Sequence, residues 1–157
     1  KMNKMKKRIS VLAMTVMMSM ASVLPTQAVA MASFPTQSVG SYTGNHTRAL
    51  QVMLINHSTQ TRNSVLNAGG ADGSYGAGTE LAVAQFQAKN GLSSDGICGR
   101  NTWTKFRNTL EQTSLGTNYR FFKGYSPYQA KNNNCMRLHR TSDIWNTYTN
   151  GTWYNVG

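Results

Sequence analysis

The chain has 157 residues, with 16 lysines and arginines against 5 acidic residues. That length suits one domain, or one small domain with an appendage. The basic residues are scattered rather than clustered, which argues against a nucleic-acid partner, and neither a P-loop nor a dinucleotide fingerprint is present.

Residues 1–30 read as a secretory signal peptide. Lys4, Lys6, Lys7 and Arg8 lead into an apolar run over 9–24, Pro25 breaks it, and Ala28-Val29-Ala30 supplies small residues at a cleavage-site spacing. The run is shorter than the ~20 apolar residues a spanning helix needs. No membrane association is therefore expected after cleavage. Five of the 16 basic residues lie in this segment, leaving 11 against 5 acidic residues over 31–157. Such an excess on an exported protein suits an anionic surface. Both cysteines, Cys98 and Cys135, remain, and in an exported chain the expectation is one disulfide between them. It would close a loop of 38 residues, contribute about 3–4 kcal/mol, and tie the C-terminal segment to the core.

Residues 31–44 are Ser/Thr/Gly-rich and read as a linker or an ordered N-terminal arm. From Thr47, "TRALQVMLIN" places Ala49, Leu50, Met53 and Leu54 on one helical stripe. Residues 57–70 are polar, with Val65-Leu66 as their apolar pair, and fit either a helix extension or a loop. A second helix is expected over about 78–90, with Ala82, Val83 and Phe86 inward. Asn90-Gly91-Leu92 stops it, Gly91 taking the left-handed cap and Leu92 folding back. A third, over about 101–110, aligns Trp103, Phe106 and Leu110.

The loops before the last two helices repeat one another. Asp72-Gly73-Ser74-Tyr75-Gly76 with Thr79 returns 23 residues later as Asp95-Gly96-Ile97-Cys98-Gly99 with Thr102. Asp-Gly favours a tight turn, the second glycine lets the chain reverse into a helix, and the threonines can satisfy first-turn amides. Tyr75 and Cys98, at equivalent places, would plug toward the core. The expected fold is mainly α: a small three-helix bundle with two Asp-Gly loops over 45–112, followed by an aromatic, β-hairpin-leaning tail over 113–157.

In order, "LQVML", "DGSYG", "GTELAVAQFQAKNGL" and "SDGICGRNTW" resemble the bacterial peptidoglycan-binding domain, the three-helix module appended to many cell-wall hydrolases. The resemblance covers about residues 39–110. Two features depart from the family pattern: a longer segment between Leu54 and Asp72, and Cys98 in place of an apolar residue. Together with the export signal, the resemblance implies a secreted, non-catalytic, cell-wall-associated protein, and a monomer is expected. Its partners would be peptidoglycan or associated anionic wall polymers, with no cofactor. A polar glycan-peptide needs a shallow groove with an aromatic floor and a few donors. Tyr75, Arg100, Asn101 and Trp103, at the loop-to-helix junctions, are the residues expected to supply it, with helix-start amides meeting a stem-peptide carboxylate.

The tail differs in composition, with nine aromatics among residues 117–157. In "IWNTYTNGTWYNV", Asn150-Gly151 suits a type I′ turn. Such a hairpin sets Trp145, Thr147 and Thr149 on one face with Thr152 and Tyr154, and Tyr148 and Trp153 on the other. Trp145, Tyr148, Trp153 and Tyr154 form a second candidate surface, able to stack on sugars or to pack on the helices. "NGTWYNV" resembles a single choline-binding repeat. "CMRLHRTSDIWNTYTNGT" resembles the cysteine segment of L,D-transpeptidases, which would make Cys135 a nucleophile and Arg137 its carboxylate or oxyanion partner. The alternative reading is thus a truncated or divergent transpeptidase-like or other wall-modifying enzyme. However, Asn132-Asn133-Asn134 stands where that family has Ser-His-Gly, and a thiolate needs a positioned base. His46, His57 and His139 lack metal-ligand spacing, so no metal is expected. Asp72 and Asp95 are occupied in turns, which leaves Glu80, Glu111 and Asp143 without a glycosidase pairing.

Overall fold

The stripe of "TRALQVMLIN" folds as α1, Asn45–Ile55, in a computed structural model that describes residues 31–41 and 44–156. The expected signal peptide lies outside the described residues. Every residue from Ala49 to Ile55 is buried. A helix apolar nearly all round must be covered nearly all round, and α1 packs on two helices and also on a β-strand. The second element, α2 (Thr59–Leu66), occupies the segment that the sequence leaves open between helix and loop. The Ser58 Oγ caps it by accepting the Thr61 N–H at 3.3 Å. Only Thr61 and Val65 are buried, so its sequence is polar. Helix α3 spans Ala77–Lys89 and α4 spans Arg100–Thr109. Gly78 admits close packing of α2 on α3, since a Cβ there would lie 2.7 Å from the Ser64 carbonyl oxygen. Phe86 of α3 stacks on Phe106 of α4 with ring centroids 3.7 Å apart.

Residues 31–41 form an ordered arm across the bundle. Gln37 and Cys98 exchange backbone hydrogen bonds at 3.1 and 2.9 Å, and the Gly40 N–H donates to the Tyr75 carbonyl at 3.1 Å. The arm thus touches the equivalent residue of both repeated loops. Trp103 closes this side, its Nε1 donating to the Pro35 carbonyl at 3.0 Å and its ring meeting Phe34 edge-on.

The expectation of a mainly α protein with a hairpin-leaning tail is corrected by the C-terminal third. Among the described residues there are four helices, and a five-stranded antiparallel sheet follows them: β1 (Glu111–Leu115), β2 (Tyr119–Lys123), β3 (Met136–His139), β4 (Trp145–Thr149) and β5 (Thr152–Asn155), neighbours in that order. The β4–β5 hairpin forms as the Asn-Gly turn predicts, with φ of 50° at Asn150 and 79° at Gly151. The other strands carry weaker signals. Phe122 is the buried apolar residue of β2, Met136 and Leu138 are those of β3, and β1 is exposed along its whole length. Period-2 alternation is hard to read over four or five residues when most outward positions are aromatic or polar.

The sheet's inner face lies against the helices. Arg107 of α4 stands over the Phe122 and Trp145 rings at 4.9 and 5.6 Å, and Arg48 of α1 over Tyr154 at 4.7 Å. Asn56, which ends α1, fastens the strand-connecting loop: its carbonyl accepts the Ser126 N–H at 2.9 Å, and its Oδ1 accepts the Tyr128 N–H at 2.7 Å. Arg62 of α2 donates to the Ser126 carbonyl at 2.6 Å and lies over the Tyr128 ring.

His57 follows this junction, 5% exposed, edge-on to Phe86 at 4.8 Å. Burial lowers its pKa from 6.5 to about 4, and Lys89 adds to the effect. The folded state therefore resists the proton that the unfolded chain takes up below pH 6.5. Stability from this group is complete above pH 6.5, falls as pH drops through the window from 6.5 to about 4, and is level below it. A loss of about 2 kcal/mol between pH 7 and 4.5 is expected after allowance for screening. His57→Phe should flatten that part of the urea-denaturation profile, and a variant retaining the full slope would assign it elsewhere.

Candidate functional site

Each repeated loop is organised by a glutamine from the helix before it. In the first copy, Gln51 of α1 sends its Nε2 toward the Asp72 Oδ1 (2.8 Å), the Ser74 carbonyl (3.0 Å) and the Thr79 Oγ1 (3.1 Å). Its Oε1 accepts the Gly73 N–H at 2.8 Å. In the second copy, Gln87 of α3 meets the Asp95 Oδ1 (2.8 Å), the Ile97 carbonyl (2.9 Å) and the Thr102 Oγ1 (3.1 Å), and accepts the Gly96 N–H at 2.9 Å. Asp72 and Asp95 each receive the N–H two residues on, at 2.9 Å. Both glutamines are 2% exposed, where each amide would be costly without partners.

This arrangement changes the expected role of the threonines. Rather than capping first-turn amides, the Thr79 and Thr102 hydroxyls lie beneath the loops and meet the glutamines. The glutamines escape a reading based on the loops alone because they lie 21 and 8 residues before their aspartates, outside the 23-residue repeat. Their signal is a polar residue on an otherwise apolar helical face.

The four residues expected to bind ligand separate into two pairs. Tyr75 and Trp103 are buried at 2% and 0% exposure. The Tyr75 hydroxyl donates to the Gly96 carbonyl, which links the two loops. Burial raises its pKa, with Cys98, Glu80 and Asp95 contributing. They are core plugs and offer no ring to solvent. Arg100 and Asn101 are exposed at the start of α4, where they line a hollow of about 260 Å³ with Leu92, Ser93, Asp95 and Ile97. The Asp95 carboxyl is held low by the Ile97 N–H and then by Gln87. The hollow therefore sets a fixed carboxylate beside an arginine, an amide side chain and a helix start.

The expected Cys98–Cys135 disulfide is corrected: both are buried free thiols. Cys98 is committed to the arm through Gln37, while Cys135 sits between strands, its N–H donating to the Phe122 carbonyl at 3.0 Å and its carbonyl accepting the Tyr148 N–H at 2.9 Å. Burial, and then Asp95, raises the Cys98 pKa well above 9. Burial pushes Cys135 up to about 12, against a hydrogen bond from the Gly124 N–H. Neither supplies a thiolate near neutral pH. His139 lies four residues along from Cys135, about 13 Å on an extended strand, and its Nδ1 faces the Thr141–Ser142 turn. Arg137 turns to the outer face of the sheet, where Asn146 holds its Nε at 2.8 Å.

The tail aromatics divide as the hairpin register predicts. Trp145 is fully buried on the inner face, Tyr154 lies under Arg48, and Tyr148 and Trp153 pair on the outer face. No metal-holding group of three or more His, Cys, Asp or Glu residues occurs among the described residues, and none of their helices is long and apolar enough to cross a membrane.

Comparison with known proteins places a family on the helical part. Residues 43–106 match the family described as "Putative peptidoglycan binding domain". None of the curated proteins and none of the solved structures matches the chain significantly.

Proposed function

We propose, because residues 43–106 match the family described as a putative peptidoglycan binding domain, that this is a secreted, non-catalytic wall-binding protein whose helical part meets peptidoglycan at the α4 hollow. The family match supports association with the cell wall, and it is the observation that carries the reading. The basic-then-apolar leader over residues 1–30 supports export, and the positive excess over 31–157 suits an anionic wall. Arg100 and Asn101 are the contacts proposed for the hollow, since both are exposed there and free of the core. A stem-peptide carboxylate would meet the Arg100 guanidinium and the α4 start, and amide groups of the peptide would meet Asn101. The burial and raised pKa of Cys135 favour binding over acyl transfer.

Co-sedimentation with purified sacculi tests the proposal. The protein should pellet, and the double variant Arg100→Ala/Asn101→Ala should bind about tenfold more weakly while melting within ~2 °C of the parent, as exposed positions do. Equal affinity would remove the hollow from the interface. A protein that stays in the supernatant at low salt would end the wall-binding reading. Residual binding that fades as salt rises would identify a charge contribution.

A further inference from the structure

The outer face of the sheet carries a second site, independent of the α4 hollow. Tyr119 and Phe121 of β2, Arg137 of β3, and Trp153 of β5 face outward together by register, since Phe121 pairs with Arg137 and Tyr148 with Trp153. A groove of about 470 Å³ opens there, lined among others by Thr113, Phe121, Lys131, Asn132, Arg137 and Trp153. Arg137 is fixed at its centre. Its guanidinium stacks between the Tyr119 and Trp153 rings at 4.0 and 4.5 Å, and Asn146, itself bonded to Asn155 at 2.6 Å, holds its Nε. Among the described residues it has no carboxylate partner, and the groove lining holds two cations and no acid. A preorganised cation flanked by aromatic faces and amide-bearing side chains matches an anion carried on a ring with apolar faces.

From this geometry we infer that the outer sheet face binds an acidic saccharide, its sugar rings against Phe121 and Trp153 and its carboxylate at Arg137 and Lys131. Charge complementarity selects the acid, and the ring faces select the sugar over a bare anion. The class of ligand follows from the groove alone. The choice of a wall glycan as probe rests on the wall-binding reading.

Titration of the purified protein with peptide-free wall glycan strands, whose lactyl carboxylates are free, tests this site against neutral chitohexaose. Trp153 is the partly exposed tryptophan, while Trp103 and Trp145 are fully buried, so ligand-induced fluorescence change reports on the groove. The acidic strands should bind at least about tenfold more tightly than chitohexaose. Arg137→Gln should bring the two within about threefold, Trp153→Ala, followed by calorimetry because it removes the reporter ring, should weaken both about tenfold or more, and the exposed Lys131→Gln should weaken only the acidic ligand. Arg100→Ala/Asn101→Ala should change none of these affinities. Equal affinity for the two glycans, indifference to both Arg137→Gln and Lys131→Gln, or loss in the Arg100/Asn101 variant would each overturn the site. Sacculi that pellet the parent protein while free strands do not bind would sink this inference alone. Strands that bind while sacculi do not would sink the wall-binding reading alone.

Discussion

Replacing Gln87 by leucine should destabilise the protein by about 3 kcal/mol, a large share of a typical domain stability of roughly 5–15 kcal/mol. Leucine fills much of the same space, so little of the effect comes from a cavity. The loss comes from the loop. The buried Gly96 N–H keeps no acceptor, and the Ile97 carbonyl and Thr102 hydroxyl lose a donor. Orphaning one buried donor costs about 1–3 kcal/mol, and Asp95 also loses the Gln87 contact that helps hold it ionised. In urea the midpoint should fall with the slope unchanged, and the melting temperature should drop by roughly 10 °C. Because Gln51 makes the same set of contacts in the first copy, Gln51→Leu should match it within about 1 kcal/mol. Gln87→Glu should fare no better than leucine, since it sets a second carboxylate against Asp95. A loss below 1 kcal/mol in both leucine variants would mean that the Asp-Gly turns hold themselves, and the glutamine wiring would be incidental.

The second large effect belongs to Trp145. Its ring is fully buried on the inner face of the sheet, 5.1 Å from Phe122 and beneath Arg107 of α4. Trp145→Ala should cost about 3–5 kcal/mol, the range for truncating a large buried aromatic. The way the protein then melts is as informative as the amount. Helices and sheet share one continuous core, so helical circular dichroism and tryptophan fluorescence should still fall in one coincident transition at lower temperature. A helical signal that keeps the parent midpoint while the sheet melts early would refute the shared core. Gly124→Ala probes the same seam from its edge. The added Cβ would lie 2.3 Å from the Asn56 carbonyl oxygen, the atom that accepts the Ser126 N–H and fastens the loop between β2 and β3 to α1. It should shift both signals in the same direction as Trp145→Ala.

The sequence by itself determined three of the four helices among the described residues. Its loops repeat, glycine and asparagine signals mark helix ends, and Ala82, Val83 and Phe86 in one helix and Trp103 and Phe106 in the next fall on apolar stripes because a 3.6-residue period shows over ten or more residues. The Asn150-Gly151 turn was legible for a similar local reason: both residues adopt positive φ, which few other pairs accept readily. The remainder depended on contacts between distant positions. Residues 59–66 fit helix and loop equally in sequence because α2 buries only Thr61 and Val65, while its Ser58 cap and packing on α3 supply what propensity does not. Gln51 and Gln87 read as ordinary polar residues until the loops fold over them. Tyr75 and Trp103 could equally have faced a ligand, and only the arm over 31–41 and the Gly96 carbonyl show why they turn inward. Cys98 and Cys135 have the count of a disulfide, yet both are buried free thiols, one beside the arm and the other between strands. The sheet is the clearest case. Its five strands are short, and their inward residues gain burial only against each other and against α1 and α4. Only in that assembly does the opposite face gather Phe121, Arg137 and Trp153, residues 16 positions apart at each step along the chain.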